Sequence, residues 1–195
     1  MEATFFGLTF LTEPGRVFTP RPATEQLVEA ALEHVDGVPV HVADVGTGAG
    51  VVAVTLALHA PKAEVWATDT CPAAVRLAQE NAERHGVADR VHVRLGDLLE
   101  PIPRQLDLVA ANLPYLPDTL RGLTEYDGEP AAAIYAPAHG LERYRRLLAD
   151  AGDRLDDDGT LLIQFHREIL ASDRPGLPAL RDRLERLQSA RWVAS

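Results

Sequence analysis

The sequence predicts an α/β fold: a doubly wound, mostly parallel sheet in a single domain. Short β-branched runs alternate with helical patterns over most of the chain, the arrangement that builds parallel sheets with helices on both faces. A glycine-rich turn follows the first of these runs, and polar residues (two aspartates and an asparagine) close the next three. The length of 195 residues suits one domain with a real core.

Pro22–Val35 reads as an amphipathic helix with Leu27, Ala31 and Val35 on one face. VPVHVADVG (Val38–Gly46) is short, β-branched and ends in glycine, as a buried strand does. VVAVTLALHA (Val51–Ala60) is long enough for the helix that follows, although periodicity alone leaves its type open. Ala63–Asp69 is the second strand. Cys71–Gly86 is a helix with Pro72 in its first turn, Val75, Ala78 and Ala82 on one face, and Gly86 at its stop. Arg90–Asp97 and Leu106–Asn112 are the third and fourth strands. Gly140–Leu155 is a helix, Gly159–Phe165 the fifth strand, and Leu177–Leu187 a last helix. Residues 1–35 flank a core of residues 36–195, the two forming one structural unit. The segment Pro117–His139 is long for a compact domain, as functional lids are.

A formal net charge of −10 argues against a nucleic-acid partner, which needs clustered Lys and Arg. Arg143, Arg145 and Arg146, like Arg181, Arg183 and Arg186, lie among acidic residues and read as solvated helix faces. The single cysteine, Cys71, excludes an intrachain disulfide and fits a reducing compartment. The start lacks a secretory pattern and no apolar run is long enough to span a bilayer, so the expected location is cytoplasmic, with no membrane partner.

DVGTGAG (Asp44–Gly50) joins the first strand to the first core helix. Glycines there let backbone approach a ligand and leave helix N–H groups pointing at it. Gly46 and Gly48 fit the dinucleotide spacing, but Val51 stands where that pattern wants a small residue. Asp69 closes the second strand where an acidic residue takes ribose hydroxyls, and Asp97 closes the third, where a carboxylate can accept from an adenine amino group. These features indicate a nucleoside-type cofactor without choosing its class.

LVAANLPYLP (Leu108–Pro117) continues the fourth strand into Asn112-Leu113-Pro114-Tyr115. An amide or aromatic amine nitrogen is a weak nucleophile because its lone pair is delocalised. The Asn112 side-chain oxygen and the Leu113 carbonyl, stiffened by Pro114, can accept its two N–H groups and turn the lone pair toward an electrophilic methyl. Tyr115 can cover a planar acceptor. A proline-stiffened turn without chemistry is the plain alternative.

Together Gly46–Gly50, Asp69, Asp97 and Asn112–Tyr115 resemble the class I S-adenosylmethionine-dependent methyltransferases, a Rossmann-like fold, and within them those that methylate amino groups. More narrowly, the chain resembles the release-factor glutamine methyltransferases. Phe5–Leu32 matches their hairpin and their Pro-Arg-Pro-x-Thr-Glu approach to the first helix, and Glu129–Ile134 and His139–Leu148 match the segment after their Asn-Pro-Pro-Tyr motif. The resemblance implies S-adenosylmethionine as cofactor and S-adenosylhomocysteine as product. It implies that Asp44, Gly46, Thr47, Gly48, Ala49 and Gly50 hold the methionine end, Asp69 the ribose, and Asp97 and Leu98 the adenine. It further implies that Asn112, Leu113, Pro114 and Tyr115 hold the acceptor and carry the catalysis, with Asn112 near the methyl donor. Phe18, Pro20 and Arg21 lie beside the cofactor pocket on the same reading.

The chain departs from that family at Leu113, which stands where the motif has its first proline, as in adenine dimethylases of ribosomal RNA. It begins after the N-terminal domain of bacterial members. Ser189–Ser195 supplies a sixth strand, and no antiparallel seventh follows, so a dimer or partner contact is expected at that edge. The expected acceptor is a glutamine-like protein amide or a small amine or amide metabolite. A nucleic-acid adenine, a non-catalytic cofactor-binding scaffold and a nicotinamide-dependent oxidoreductase are the alternatives. His139 and His166 read as surface or packing residues, and Trp66 as a packing residue beside the sheet. Glu125, Tyr126 and Glu129 read either as substrate selectors or as part of a solvated lid. No His/Cys cluster has metal-ligand spacing, so no metal is expected, and Asp156–Asp158 reads as a turn that ends a helix.

Overall fold

The β-branched runs form strands whose side chains are covered on both faces of one sheet, which is why they lack polar alternation. The computed structural model describes residues 1–35, 37–122, 126, 128–136, 140–165, 175–186 and 190–194. Its main sheet holds β3 (Val40–Val45), β4 (Ala63–Asp69), β5 (Val91–Leu95), β6 (Leu106–Ala111), β9 (Leu155–Phe165) and β10 (Ala190–Ala194). All neighbours are parallel, in the order β5-β4-β3-β6-β9-β10. The direction of winding reverses between β3 and β6. Loops leaving these two strands diverge to opposite faces, and a crevice opens outside their carboxyl ends.

Helices cover the sheet from both sides. α1 (Glu25–Val35), α2 (Val51–His59) and α3 (Pro72–Arg84) share one apolar cluster with Val42, Val65, Leu108, Ala110 and Leu162. α5 (Glu142–Arg154) and α6 (Leu177–Arg186) share the other, with Ala43, Val45, Val109, Ala111, Leu161 and Ile163. Alternate residues of β3 and β6 fall in opposite clusters, as a pleated strand requires. α2 is buried at every position from Val51 to Ala57, so its sequence carries no amphipathic signal.

A hairpin of β1 (Glu2–Phe5) and β2 (Leu8–Leu11) precedes α1. Its two-residue turn puts Phe6 and Gly7 at positive φ, the geometry that matches strand twist. Phe5 and Phe10 are buried in the first cluster. The side chain of Asn81 on α3, itself fully buried, accepts from Leu11 N–H and donates to the Leu11 and Ala49 carbonyls, so one amide ties hairpin, helix and glycine loop together.

Two expectations are corrected. Asp156–Asp158 is not a helix-ending turn: β9 already begins at Leu155, which pairs with Leu106, and the next pairing is Leu108 with Thr160. The three exposed aspartates are the excess residues of that irregularity, where repulsion between neighbouring carboxylates is relieved by water. The segment Pro117–His139 is not simply an open lid. β7 (Leu116–Pro117) pairs with β8 (Tyr135–Ala136), and α4 (Ala131–Ile134) sits between them in sequence. Glu125, His139 and His166 lie outside the described residues. The sixth strand expected near the C-terminus is β10, beside β9. Among the described residues, no helix is long and apolar enough to cross a membrane.

Candidate active site

The glycine loop is braced from beneath by Asp44, at the end of β3 and 3% exposed. One carboxylate oxygen accepts the Thr47 hydroxyl at 2.6 Å and the Ala53 N–H at 3.1 Å, fixing the loop to the first turn of α2. Gly46 and Thr47 donate N–H groups to the Thr68 carbonyl of β4. Gly46 has φ +77, a conformation that favours glycine, and a Cβ there would lie 2.8 Å from the end of the Leu113 side chain, so the loop packs directly on the asparagine stretch. Gly50 differs from the rest of the loop. It is absent from the crevice wall, and a Cβ on it would lie 2.9 Å from the Ala78 Cβ, so it sets the packing of α2 on α3.

Burial pushes the Asp44 carboxyl up to about 6, against its hydrogen bonds from Thr47 and Ala53, which lower it. The folded state therefore holds this proton more tightly than the unfolded chain. The group's stabilising contribution is full below the unfolded value of 3.8 and is lost as pH rises through about 6. Asp44→Asn keeps an oxygen for both donors and cannot ionise. Its stability relative to the parent protein is expected to rise by about 2 kcal/mol between pH 4 and pH 7. Urea unfolding at the two pH values measures this, and an unchanged difference would show that Asp44 does not titrate in that window.

Asp69, at the end of β4, accepts the Gly48 N–H at 3.0 Å and the Cys71 N–H at 2.8 Å, one on each oxygen. Each oxygen keeps a lone pair for a ligand hydroxyl. Burial raises its carboxyl above the usual range, opposed by those backbone donors and by Arg143. The next strand end carries Asp97, paired with Arg146 at 2.6 Å, and Leu98, a buried non-glycine residue at φ +48 whose carbonyl accepts from Thr68. Arg143 and Arg146 are thus not merely a solvated face, since Arg143 lines the crevice.

Asp44, Gly46, Thr47, Gly48, Ala49, Asp69, Asp97 and Leu98 line this crevice with Phe18 and Pro20. It runs from the glycine loop past Asp69 to Asp97 and Leu98, an extended open crevice that suits a nucleoside bearing an amino-acid tail. Asn112, Leu113 and Pro114 form its far wall and also line a second, smaller pocket completed by Arg21, Tyr115, Tyr126 and Gln164. Pattern reading missed Thr24, Tyr144 and Gln164 here. Asn112 donates from Nδ2 to the Thr24 hydroxyl at 3.1 Å, which leaves its Oδ1 as the group to receive a ligand donor. Tyr144 of α5, fully buried, accepts the Leu113 N–H at 2.9 Å and donates to the Leu113 carbonyl at 2.7 Å. Burial holds its phenol well above the usual value, so it stays a neutral donor. The Leu113 carbonyl, expected to face an acceptor, is thus already engaged on one side. Tyr115 stacks at a tilt on Phe165, with ring centroids 5.3 Å apart.

Glu129 is a strut: its carboxylate, 8% exposed, accepts the Thr19 N–H and the Arg21 guanidinium, both at 3.0 Å. Arg21 also lies over Phe18 and Tyr126, closing the second pocket on that side. Cys71 directly precedes α3 and also lines the crevice, and Trp66 packs against His92, as its packing role predicts.

The family model for the methyltransferase small domain matches residues 7–121, more than half of the chain and all of the loop, strand-end and Asn112–Tyr115 geometry above. The chain belongs to that family. Among curated proteins, this methyltransferase-family chain is 42% identical over 165 residues to the release factor glutamine methyltransferase of Moorella thermoacetica, covering 83% of this chain and 58% of that protein. It is 38% identical over 169 residues to the one from Nitratidesulfovibrio vulgaris, covering 84% and 57%. The chain therefore spans about three fifths of the length of the curated relatives it matches. Among solved structures, the ribosomal protein L11 methylase of Lactobacillus delbrueckii subsp. bulgaricus superposes with a TM-score of 0.61 at 24% identity, over 90% of this chain and 72% of that one. A Thermus thermophilus 16S rRNA methyltransferase, solved with AdoMet and guanosine, gives 0.66 at 19% identity, over 95% and 45%. These two likenesses show the class I methyltransferase fold. Neither they nor the curated relatives support the dimer or partner contact expected at the β10 edge.

Proposed function

We propose that the protein is an S-adenosylmethionine-dependent N-methyltransferase acting on a glutamine side-chain amide of a protein, with a release factor as the leading acceptor, in the cytoplasm. The observation that carries this reading is the position of Asn112-Leu113-Pro114, which forms the partition between the crevice and a smaller pocket. Only a group held at that partition can meet a donor on one side and an acceptor on the other.

The crevice fits the cofactor chemically. The glycine loop lets backbone close in, Asp69 offers two carboxylate oxygens to vicinal hydroxyls, and the wall beside Leu98 is apolar. S-adenosylmethionine, when bound, supplies an electrophilic methyl on a sulfonium. The chain's own contribution is positioning. Asn112 Oδ1, turned by Thr24, accepts one amide N–H and rotates the nitrogen lone pair toward the crevice, and it stabilises the positive charge that grows on that nitrogen. Tyr144 fixes the peptide unit that follows. The ring of Tyr115, braced by Phe165, walls the acceptor from water. The curated relatives carry the same acceptor in their names, and the acidic chain disfavours a nucleic-acid one.

Calorimetric titration with S-adenosylmethionine, S-adenosylhomocysteine and nicotinamide dinucleotide tests the cofactor. Incubation with a release factor, followed by mass spectrometry, tests the acceptor. Binding of the first two ligands and one added methyl on a glutamine are expected. A preference for the dinucleotide, or a release factor left unmodified by a cofactor-loaded protein, would overturn the respective half.

A further inference from the structure

We infer that Gln164 is a second acceptor-binding residue, and that with Asn112 and Arg21 it makes the smaller pocket selective for a primary carboxamide. This rests on the glutamine reading above and specifies how the site would recognise that group.

Two residues that line this pocket each carry a buried polar atom with no partner among the described residues: Gln164 its Oε1, an acceptor, and Arg21 its Nε, a donor. Gln164 is 2% exposed, so its oxygen is withdrawn from bulk water. A buried polar atom left unpaired is costly, and in a ligand pocket its natural partner is the ligand. Its orientation is fixed, because Nε2 lies 2.6 Å from the Ala23 carbonyl, which can only accept.

Sheet register places the two side-chain amides together. β6 and β9 are parallel, with Ala110 opposite Leu162 and Ala111 opposite Ile163. The next residues along are Asn112 and Gln164, so they leave neighbouring strands at the same level and toward the same face. Both send their NH₂ groups into consecutive residues of the turn before α1, Asn112 to Thr24 and Gln164 to Ala23. Both therefore turn a carbonyl oxygen the other way. Tyr144 also lies 3.2 Å from the Gln164 carbonyl, so one hydroxyl bridges the ends of both strands. Since the Leu113 carbonyl already receives the Tyr144 hydroxyl, Gln164 Oε1 is the better-disposed acceptor for a second N–H. A primary carboxamide complements the set: two N–H groups for Asn112 and Gln164, and a carbonyl for Arg21 Nε.

The test uses protein loaded with S-adenosylhomocysteine and titrated with two peptides. One spans the glutamine that the enzyme methylates in a release factor, and the other carries the side-chain N-methylated glutamine at that position. The parent protein should bind the unmethylated peptide about tenfold more tightly, the worth of one good hydrogen bond. Gln164→Met should erase that preference by weakening the unmethylated peptide alone, with S-adenosylmethionine affinity unchanged within about twofold. Gln164→Asn, which keeps an amide but retracts it by one methylene, should do the same and serves if the first variant folds poorly. Equal weakening of both peptides, or a fall in cofactor affinity, would mean that Gln164 only braces Ala23, and would overturn the inference. A parent protein that binds the cofactor but neither binds nor methylates the release factor would remove the glutamine reading and this assignment with it.

Discussion

Replacing Asn112 by alanine is expected to lower methyl transfer by about 10²–10³-fold while S-adenosylmethionine still binds nearly as tightly. The crevice is built from the glycine loop, Asp69 and the Asp97–Leu98 wall, and Asn112 contributes only part of its rim. On the proposed reading, alanine removes the oxygen that orients an otherwise delocalised nitrogen lone pair and offsets the charge developing there. That interaction strengthens toward the transition state, so its loss falls on turnover and not on cofactor affinity. The local fold should survive, since the lost side-chain interaction is a single partly buried bond, to Thr24 at 3.1 Å. Steady-state turnover on a release factor and calorimetry with S-adenosylmethionine give the two numbers. Parallel losses in both would make Asn112 a cofactor-holding residue, and unchanged turnover would move the chemistry to another group.

The sequence made Asn112 visible because an unusual residue type sat at the end of a strand, where local pattern is informative. The same is true of Gly46, Gly48 and Asp69, whose spacing along the chain is the spacing of the crevice wall. Contacts that depend on register or long separation left no such trace. Gln164 lies 52 residues beyond Asn112 and reads as a polar residue near the end of an apolar strand; only the pairing of Ala111 with Ile163 brings the two amides together. Tyr144 sits on a helix whose arginines drew attention to its solvent face, yet its hydroxyl is among the most connected groups of the site. Arg146 meets Asp97 across 49 residues, so a charge that read as solvated is half of an ion pair at the crevice. α2 was ambiguous for the opposite reason: a helix covered on all sides has no polar face to give a period. An acidic cluster such as Asp156–Asp158 favours turns locally, and the pairing of Leu155 with Leu106 and Thr160 with Leu108 overrides that preference.

Gly140→Ala is expected to be the most damaging small substitution near the site, although Gly140 touches neither pocket. It precedes α5 at φ +81, a conformation that costs an L-residue about 1–2 kcal/mol. The added Cβ would also lie 2.0 Å from the Tyr115 carbonyl oxygen and 2.6 Å from its carbon. A clash with main chain is not relieved by rotating a side chain. Either the start of α5 or the peptide of Tyr115 must move, and overpacking of this kind adds about 1–3 kcal/mol more. Moving α5 shifts Tyr144, which holds the Leu113 peptide unit. Moving Tyr115 shifts the ring that, on the proposed reading, walls the acceptor. Both routes lead to Asn112–Tyr115, so the variant should lose about 2–5 kcal/mol of stability and, well below its melting temperature, still turn over at least tenfold more slowly. S-adenosylmethionine affinity should change little, because the glycine loop and Asp69 lie on β3 and β4, away from this contact. Denaturant unfolding, turnover at low temperature and calorimetry separate these effects. A variant that is destabilised but fully active in its folded fraction would show that the backbone contact between Gly140 and Tyr115 supports the fold alone and does not set the position of the acceptor wall.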